Sequence, residues 1–199
     1  MPKSVRCKLL RSTTMSQLDL SKGILGKRLD NLLKRPEPFN GIALPTVRNL
    51  QESSIINSAF GAVITSGPAE REVNWDHPNH RVWEFDDSED KYGPKLFQVE
   101  EMIFWGAEQD DILVHCHAGM SRSTATAWGI AIAKGLDAKE SLVALLDAHP
   151  VDFEYGSEKR WFCPNGLLVE HMEQIFHDNT LMDIREEVLR NDKRISHWL

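Results

Sequence analysis

The chain has 199 residues, 41% hydrophobic and 27% charged, with a formal net charge of -7; this suits one domain with a proper core and excludes global disorder. The acidic balance argues against a general grip on nucleic acid or anionic lipid, both of which need clustered Lys and Arg, so an anionic ligand would need a local positive site. No apolar run reaches bilayer-spanning length, and the opening MPKSVRCKLLRSTTMSQ lacks the apolar stretch of a secretory signal, so the expected location is cytoplasmic.

In chain order, residues 1 to 40 form an extension in which Leu18, Leu20, Ile24, Leu25, Leu29, Leu32 and Leu33 recur at an approximate helical period, closed by Pro36 and Pro38. It is either a helix on the domain or a separate arm. The domain proper is expected over 41–199. Ile42-Ala43-Leu44 reads as a short strand, Val47 to Asn57 as a helix, and Phe60 to Thr65 as a buried strand ending in the Ser66-Gly67-Pro68 turn. Arg81 to Phe85 alternates as a strand, and an acidic loop runs from Asp86 to Asp90.

Lys95 to Gln109 has helical spacing, and Ile112-Leu113-Val114 is a run suited to a parallel strand buried on both faces. From Ser123 a largely apolar helix runs to Gly135, Asp137 caps a helix through Leu146, residues 151–163 read as a loop, and Asn165 caps a further helix. A last amphipathic helix covers about Leu181 to Leu189. Strands alternating with helices imply an α/β domain.

The chemistry is concentrated in ILVHCHAGMSRS, Ile112 to Ser123. A strand-to-helix loop turns successive backbone N–H groups toward one point, and the helix adds its positive end, so the segment is an anion trap. Gly119 admits backbone conformations that other residues resist. Cys116 sits at the base of the loop, where amides, helix terminus and the Arg122 guanidinium favour a nucleophilic thiolate. Arg122 offers a planar fork for two phosphate oxygens. His115 is expected to order the loop and tune the thiol, and Ser123 to hydrogen-bond the departing thiolate. A leaving oxygen needs a proton donor, for which the loop FDDSEDKYGP offers Asp87 first, Asp90 second and Asp86 third. Both loops follow strands, so a parallel sheet can bring them to the same edge.

At average residue usage roughly one chain in seven of this length carries Cys-x5-Arg by accident, so that spacing alone decides little. With His before the Cys, Gly third after it and Ser after the Arg, accident falls below about one in ten thousand. These residues resemble the Cys-x5-Arg superfamily of protein-tyrosine and dual-specificity phosphatases, HCHAGMSRS being similar to the His-Cys-x-x-Gly-x-Ser-Arg-Ser form. FDDS at 85–88 resembles the strand end before the family's acid loop and puts Asp87 29 residues before Cys116. IALP at 42–45 and CPN at 163–165 resemble compact bacterial and phage-type tyrosine-phosphatase-like proteins, so the resemblance covers about residues 41–178. It implies a central, mostly parallel sheet flanked by helices, a phosphocysteine intermediate on Cys116, no metal or other cofactor, and phosphate held by His117, Ala118, Gly119, Met120, Ser121 and Arg122. The chain has no Trp-Pro-Asp tripeptide, which counts against the larger tyrosine-specific branch.

The expected substrate is a phosphorylated protein or another phosphomonoester. A phosphatase of inositol phosphate, nucleotide or RNA 5′ end is less favoured, because the loop positions supply no lysine. A phosphate-binding module without turnover and a rhodanese-type sulfurtransferase are the remaining alternatives. Of the three cysteines, Cys7, Cys116 and Cys163, the odd number and wide scatter argue against a disulfide framework. Cys163 is read as a free thiol before a redox partner of Cys116, and Trp105, Trp128 and Trp161 as packing residues.

Overall fold

A computed structural model of the chain describes residues 29–67, 77–88, 90–149 and 162–193. The expected N-terminal helix lies outside them except for 29–33, which are helical, as do Cys7, Pro68, Glu89, Trp161 and most of the expected loop at 151–163. Residues Leu33–Leu199 form the larger compact unit.

The larger unit is built on a four-stranded, all-parallel sheet in an α/β arrangement. Its strands are β1 (Thr46–Asn49), β2 (Ala62–Ser66), β3 (His80–Trp83) and β4 (Ile112–Cys116), in the spatial order β1-β4-β2-β3. Every residue of β2 and β4 is buried, which is why their sequences run apolar instead of alternating. Among the described residues of this unit the helices are α1 (Leu50–Ile56), α2 (Leu96–Ala107), α3 (Arg122–Ala133), α4 (Ala138–Ala148), α5 (Gly166–Phe176) and α6 (Leu181–Asn191), with a 3-10 turn at Asn57–Ala59.

Helix α3 packs against α2, α4 and α5 and is buried from Arg122 through Ala131. Its contact with α2 is made close by glycine on both sides. A methyl group at Gly129 would lie 2.4 Å from Ile103 Cδ1, and one at Gly106 would lie 2.4 Å from Ile130 Cδ1, so each helix seats an isoleucine in the other's notch. Trp128, fully buried, and Trp105 are core residues, as read from the sequence. Trp128 Nε1 donates to Ala138 O at 2.8 Å, tying α3 to the start of α4.

Two sequence expectations are corrected. Ile42-Ala43-Leu44 is not a strand. Ile42 makes an isolated antiparallel bridge to Phe39 across Asn40 (φ 51) and Gly41 (φ 78), with both backbone hydrogen bonds at 3.0 Å, a two-residue turn with both central φ positive. The expected helix over Val47–Asn57 begins only at Leu50. Thr46 and Val47 pair with Leu113 and Val114 of β4, and Asn49 caps α1 by accepting from Glu52 N at 2.8 Å. The cap's extended backbone (φ -78, ψ 170) stops the helix there.

Candidate active site

The centre of the sheet delivers Cys116. It is the last residue of β4, only 1% exposed, and its Sγ lies 3.2 Å from the Oγ of Ser123, the second residue of α3. Between them the chain runs through His117 and Ala118, both exposed, then Gly119, Met120 and Ser121. Gly119 has φ +74, and a Cβ there would meet Asn49 N at 2.7 Å and Arg48 C at 2.8 Å. The loop therefore lies directly on the end of β1, where Leu50 N also donates to His117 O at 3.2 Å. Thr124 Oγ1 secures the far side, donating to Met120 O and Ser121 O at 2.7 and 2.8 Å.

Arg122 opens α3 and is 7% exposed. Its Nη1 donates to Phe85 O at 3.1 Å, while its buried Nε has no hydrogen-bond partner. The space for the guanidinium comes from Gly67 at the end of β2: a Cβ there would lie 1.9 Å from Nη1 and 2.6 Å from Cζ.

The acidic loop converges on the same point. Asp87 Oδ1 accepts from Ser121 Oγ at 2.7 Å and from Asn165 Nδ2 at 2.8 Å, and its Oδ2 lies 3.9 Å from Arg122 Nε. Asp90 is turned inward on its own loop, accepting from Ser88 Oγ at 2.5 Å and Tyr92 N at 2.9 Å. Asp86 is exposed, and its backbone N donates to Tyr92 O at 2.9 Å. Among the described residues no hydrogen bond or ion pair joins the Asp86 or Asp90 side chain to the Cys116 loop, whereas the Asp87 carboxylate contacts it through Ser121 and Arg122.

The Cys116 loop, Arg122 and Asp87 thus meet at the carboxyl edge of a parallel sheet. No family model matches the chain, and no curated protein matches it. Among solved structures, human DUSP28 matches with 14% identity and a TM-score of 0.50, over 70% of this chain and 94% of that one. The chain has the fold of dual-specificity and protein-tyrosine phosphatases. Also similar are a mouse putative dual specificity phosphatase (14% identity, 68% of this chain and 84% of that one, TM-score 0.49) and the human tyrosine phosphatase-like serine/threonine/tyrosine-interacting protein (16%, 71% and 94%, 0.46).

Beneath the loop of this phosphatase fold, His115 is fully buried. Its Nε2 shares a 2.7 Å hydrogen bond with Thr65 Oγ1, which also meets His80 Nε2 at 2.8 Å. Burial first, and then the nearby His80, push the His115 pKa down to about 3, so the imidazole is neutral at neutral pH. Ser66 Oγ donates to His115 O at 3.1 Å, fixing the backbone just before Cys116. Among the described residues Cys116 and Cys163 are free thiols. Cys163 is exposed and its N donates to Met120 O at 2.9 Å. No group of three or more His, Cys, Asp or Glu among those residues is arranged to hold a metal ion; what the site offers is suited to an anion.

Besides Thr65, Ser66, His80 and Thr124, three contributors lack a functional signal in the sequence. The Phe85 carbonyl carries no side-chain signal. Gly67 reads in sequence as a turn glycine. Asn165 was recognisable as a helix cap and part of CPN, but its second bond, to Asp87, depends on the fold.

Proposed function

We propose that the chain is a cysteine-dependent phosphatase that hydrolyses phosphate monoesters of proteins through a phosphocysteine on Cys116. The observation that carries this is the Arg122 guanidinium: buried, held by Phe85 O through Nη1, and left with an Nε that has no hydrogen-bond partner. A buried charged donor without a hydrogen bond costs more than about 1–3 kcal/mol; the Asp87 carboxylate 3.9 Å away offsets part of this, and a phosphate oxygen at hydrogen-bond distance removes the rest.

The Cys116 thiolate attacks phosphorus as the ester oxygen departs, so an S–P bond forms while the P–O bond breaks. Asp87 gives its proton to the leaving oxygen. The amides from His117 to Ser121 and the Arg122 fork hold the phosphoryl oxygens throughout. Water then attacks phosphorus and yields a proton to the Asp87 carboxylate. The S–P bond breaks, inorganic phosphate leaves, and Ser123, 3.2 Å from the sulfur, donates to the returning thiolate. His115, neutral and bound to Thr65, shapes the loop and takes no proton. No lysine stands among the loop positions His117, Ala118, Met120 and Ser121, which supports a singly phosphorylated protein side chain over a polyphosphorylated small molecule. A reaction that needs a reduced thiol suits the cytoplasm.

The test is hydrolysis of para-nitrophenyl phosphate in EDTA by wild type, Cys116→Ser, Arg122→Lys and Asp87→Asn. Cys116→Ser should lose at least ~10^3-fold in kcat, and Arg122→Lys about 10^2-fold or more in kcat/KM. A correctly folded wild type that binds phosphotyrosine or vanadate without turnover replaces this reading with that of a binding module.

A further inference from the structure

Asp87 sits on an exposed loop, its side chain 39% accessible. A carboxylate so placed turns freely about its broad terminal torsion unless something outside the loop holds it. We infer that Asn165 is the positioning residue of the acid: it fixes Asp87 through Oδ1 and so makes Oδ2 the oxygen that carries the transferred proton. This rests on the phosphatase reading above.

Asn165 is itself held on several sides. It is 7% exposed, and each of its polar groups has a separate task. Its Oδ1 accepts from Leu168 N at 3.0 Å, capping α5, and its backbone N donates to Ser121 O at 3.2 Å. Its Nδ2 donates to Asp87 Oδ1 at 2.8 Å. The amide cannot be reversed, because a flipped NH2 would face the Leu168 N–H, donor against donor. The residues before it are fastened as well, Cys163 N donating to Met120 O at 2.9 Å and Arg185 Nε to Pro164 O at 2.6 Å. One residue therefore joins the first turn of α5 and Asp87 through its side chain and the Cys116 loop through its backbone N–H.

The pattern of donors decides where the proton sits. Asp87 Oδ1 accepts from both Asn165 Nδ2 and Ser121 Oγ. A neutral carboxyl keeps its carbonyl oxygen as acceptor and carries hydrogen on the other. Protonation at Oδ2 preserves both bonds, whereas protonation at Oδ1 sets a hydrogen against two donors. Oδ2 is also the oxygen nearer Arg122, 3.9 Å from Nε, beside the anion position. The Ser121 hydroxyl can rotate and offer its lone pairs; the Asn165 amide cannot, so the amide fixes the orientation in both protonation states.

The experiment compares two esters, phenyl phosphate, whose leaving group needs a proton, and 2,4-dinitrophenyl phosphate, whose leaving group does not. Asn165→Ser keeps an oxygen able to cap α5 but removes the donor to Asp87. It should lower kcat/KM, which reports the ester-cleaving step and not the phosphocysteine hydrolysis common to both esters, roughly tenfold on phenyl phosphate, a part of the general-acid contribution, and leave kcat/KM for the dinitrophenyl ester within about twofold. Added to Asp87→Asn it should cost nothing further on phenyl phosphate, since the two act as one unit. Asn165→Asp keeps the cap and sets a second carboxylate beside the acid, which should move the alkaline limb of kcat/KM to higher pH by roughly one unit.

Equal losses on both esters, or full additivity with Asp87→Asn, would reduce Asn165 to a structural cap and overturn the assignment. So would an Asn165→Ser enzyme equal to wild type on phenyl phosphate. A folded wild type inactive on both esters fails differently: it removes the phosphatase reading, and this assignment with it.

Discussion

Gly67 shows how much of the site's geometry is settled by an atom that is absent. Its φ of +139 is strained for any L side chain, and the missing Cβ is what allows the Arg122 guanidinium to reach Phe85 O. Gly67→Ala should therefore act on phosphate binding before it acts on the fold. A guanidinium displaced by about 1 Å costs on the order of 10^2 in kcat/KM, and the affinity for inorganic phosphate as a competitive inhibitor should fall with it. An alanine enzyme that keeps wild-type phosphate inhibition would mean that Arg122 has a second productive rotamer. Sequence could not reveal this demand, because Gly67 has a sufficient local reason to be glycine in Ser66-Gly67-Pro68 and Arg122 meets it only through the fold. Cys116, Arg122 and Ser123 were legible for the opposite reason: one strand-loop-helix segment brings them together, so their spacing in sequence already encodes their spacing in space.

Among the elements, the misread boundaries had local signals of their own. Asn49 followed by Glu52 is a cap-and-third-residue pair, and it marks the start of α1 more sharply than the apolar spacing that suggested Val47. Phe39-Asn40-Gly41-Ile42 carries the Asn-Gly turn pattern, which the short apolar run after it obscured. The mutual notch of α2 and α3 had no such signal. Gly129 sits mid-helix, where alanine is favoured by about 1 kcal/mol, yet a methyl there meets Ile103 Cδ1 at 2.4 Å, and overpacking of this kind costs about 1–3 kcal/mol. Packing wins over propensity. Gly129→Ala should lower the urea midpoint by an amount worth about 1 kcal/mol, with much of it restored by adding Ile103→Val. A midpoint that rises would show that α2 shifts to accept the methyl, leaving only the propensity gain.

For the molecule as a whole, alternating strands and helices foretold an α/β domain, but not the order β1-β4-β2-β3, which depends on which buried strands meet in the middle. That order encloses His115 in β4 beside Thr65 of β2, with His80 of β3 on the far side of the same hydroxyl. A histidine so enclosed links global stability to pH. Its folded pKa is about 3 against an ordinary 6.5, lowered mainly by burial, and His80 is lowered in the same direction by its own burial. Between those two values the unfolded chain binds the proton and the folded one does not. Stability from His115 is thus fully present above pH 6.5 and lost as pH falls toward 3, at about 1.4 kcal/mol per unit. Urea unfolding at pH 7 and pH 5 should show wild type losing roughly 2 kcal/mol more than His115→Gln, since the carboxylates common to both proteins contribute equally. Identical losses in the two would mean that the folded protein accepts the proton at His115, and that the sheet opens around it without unfolding.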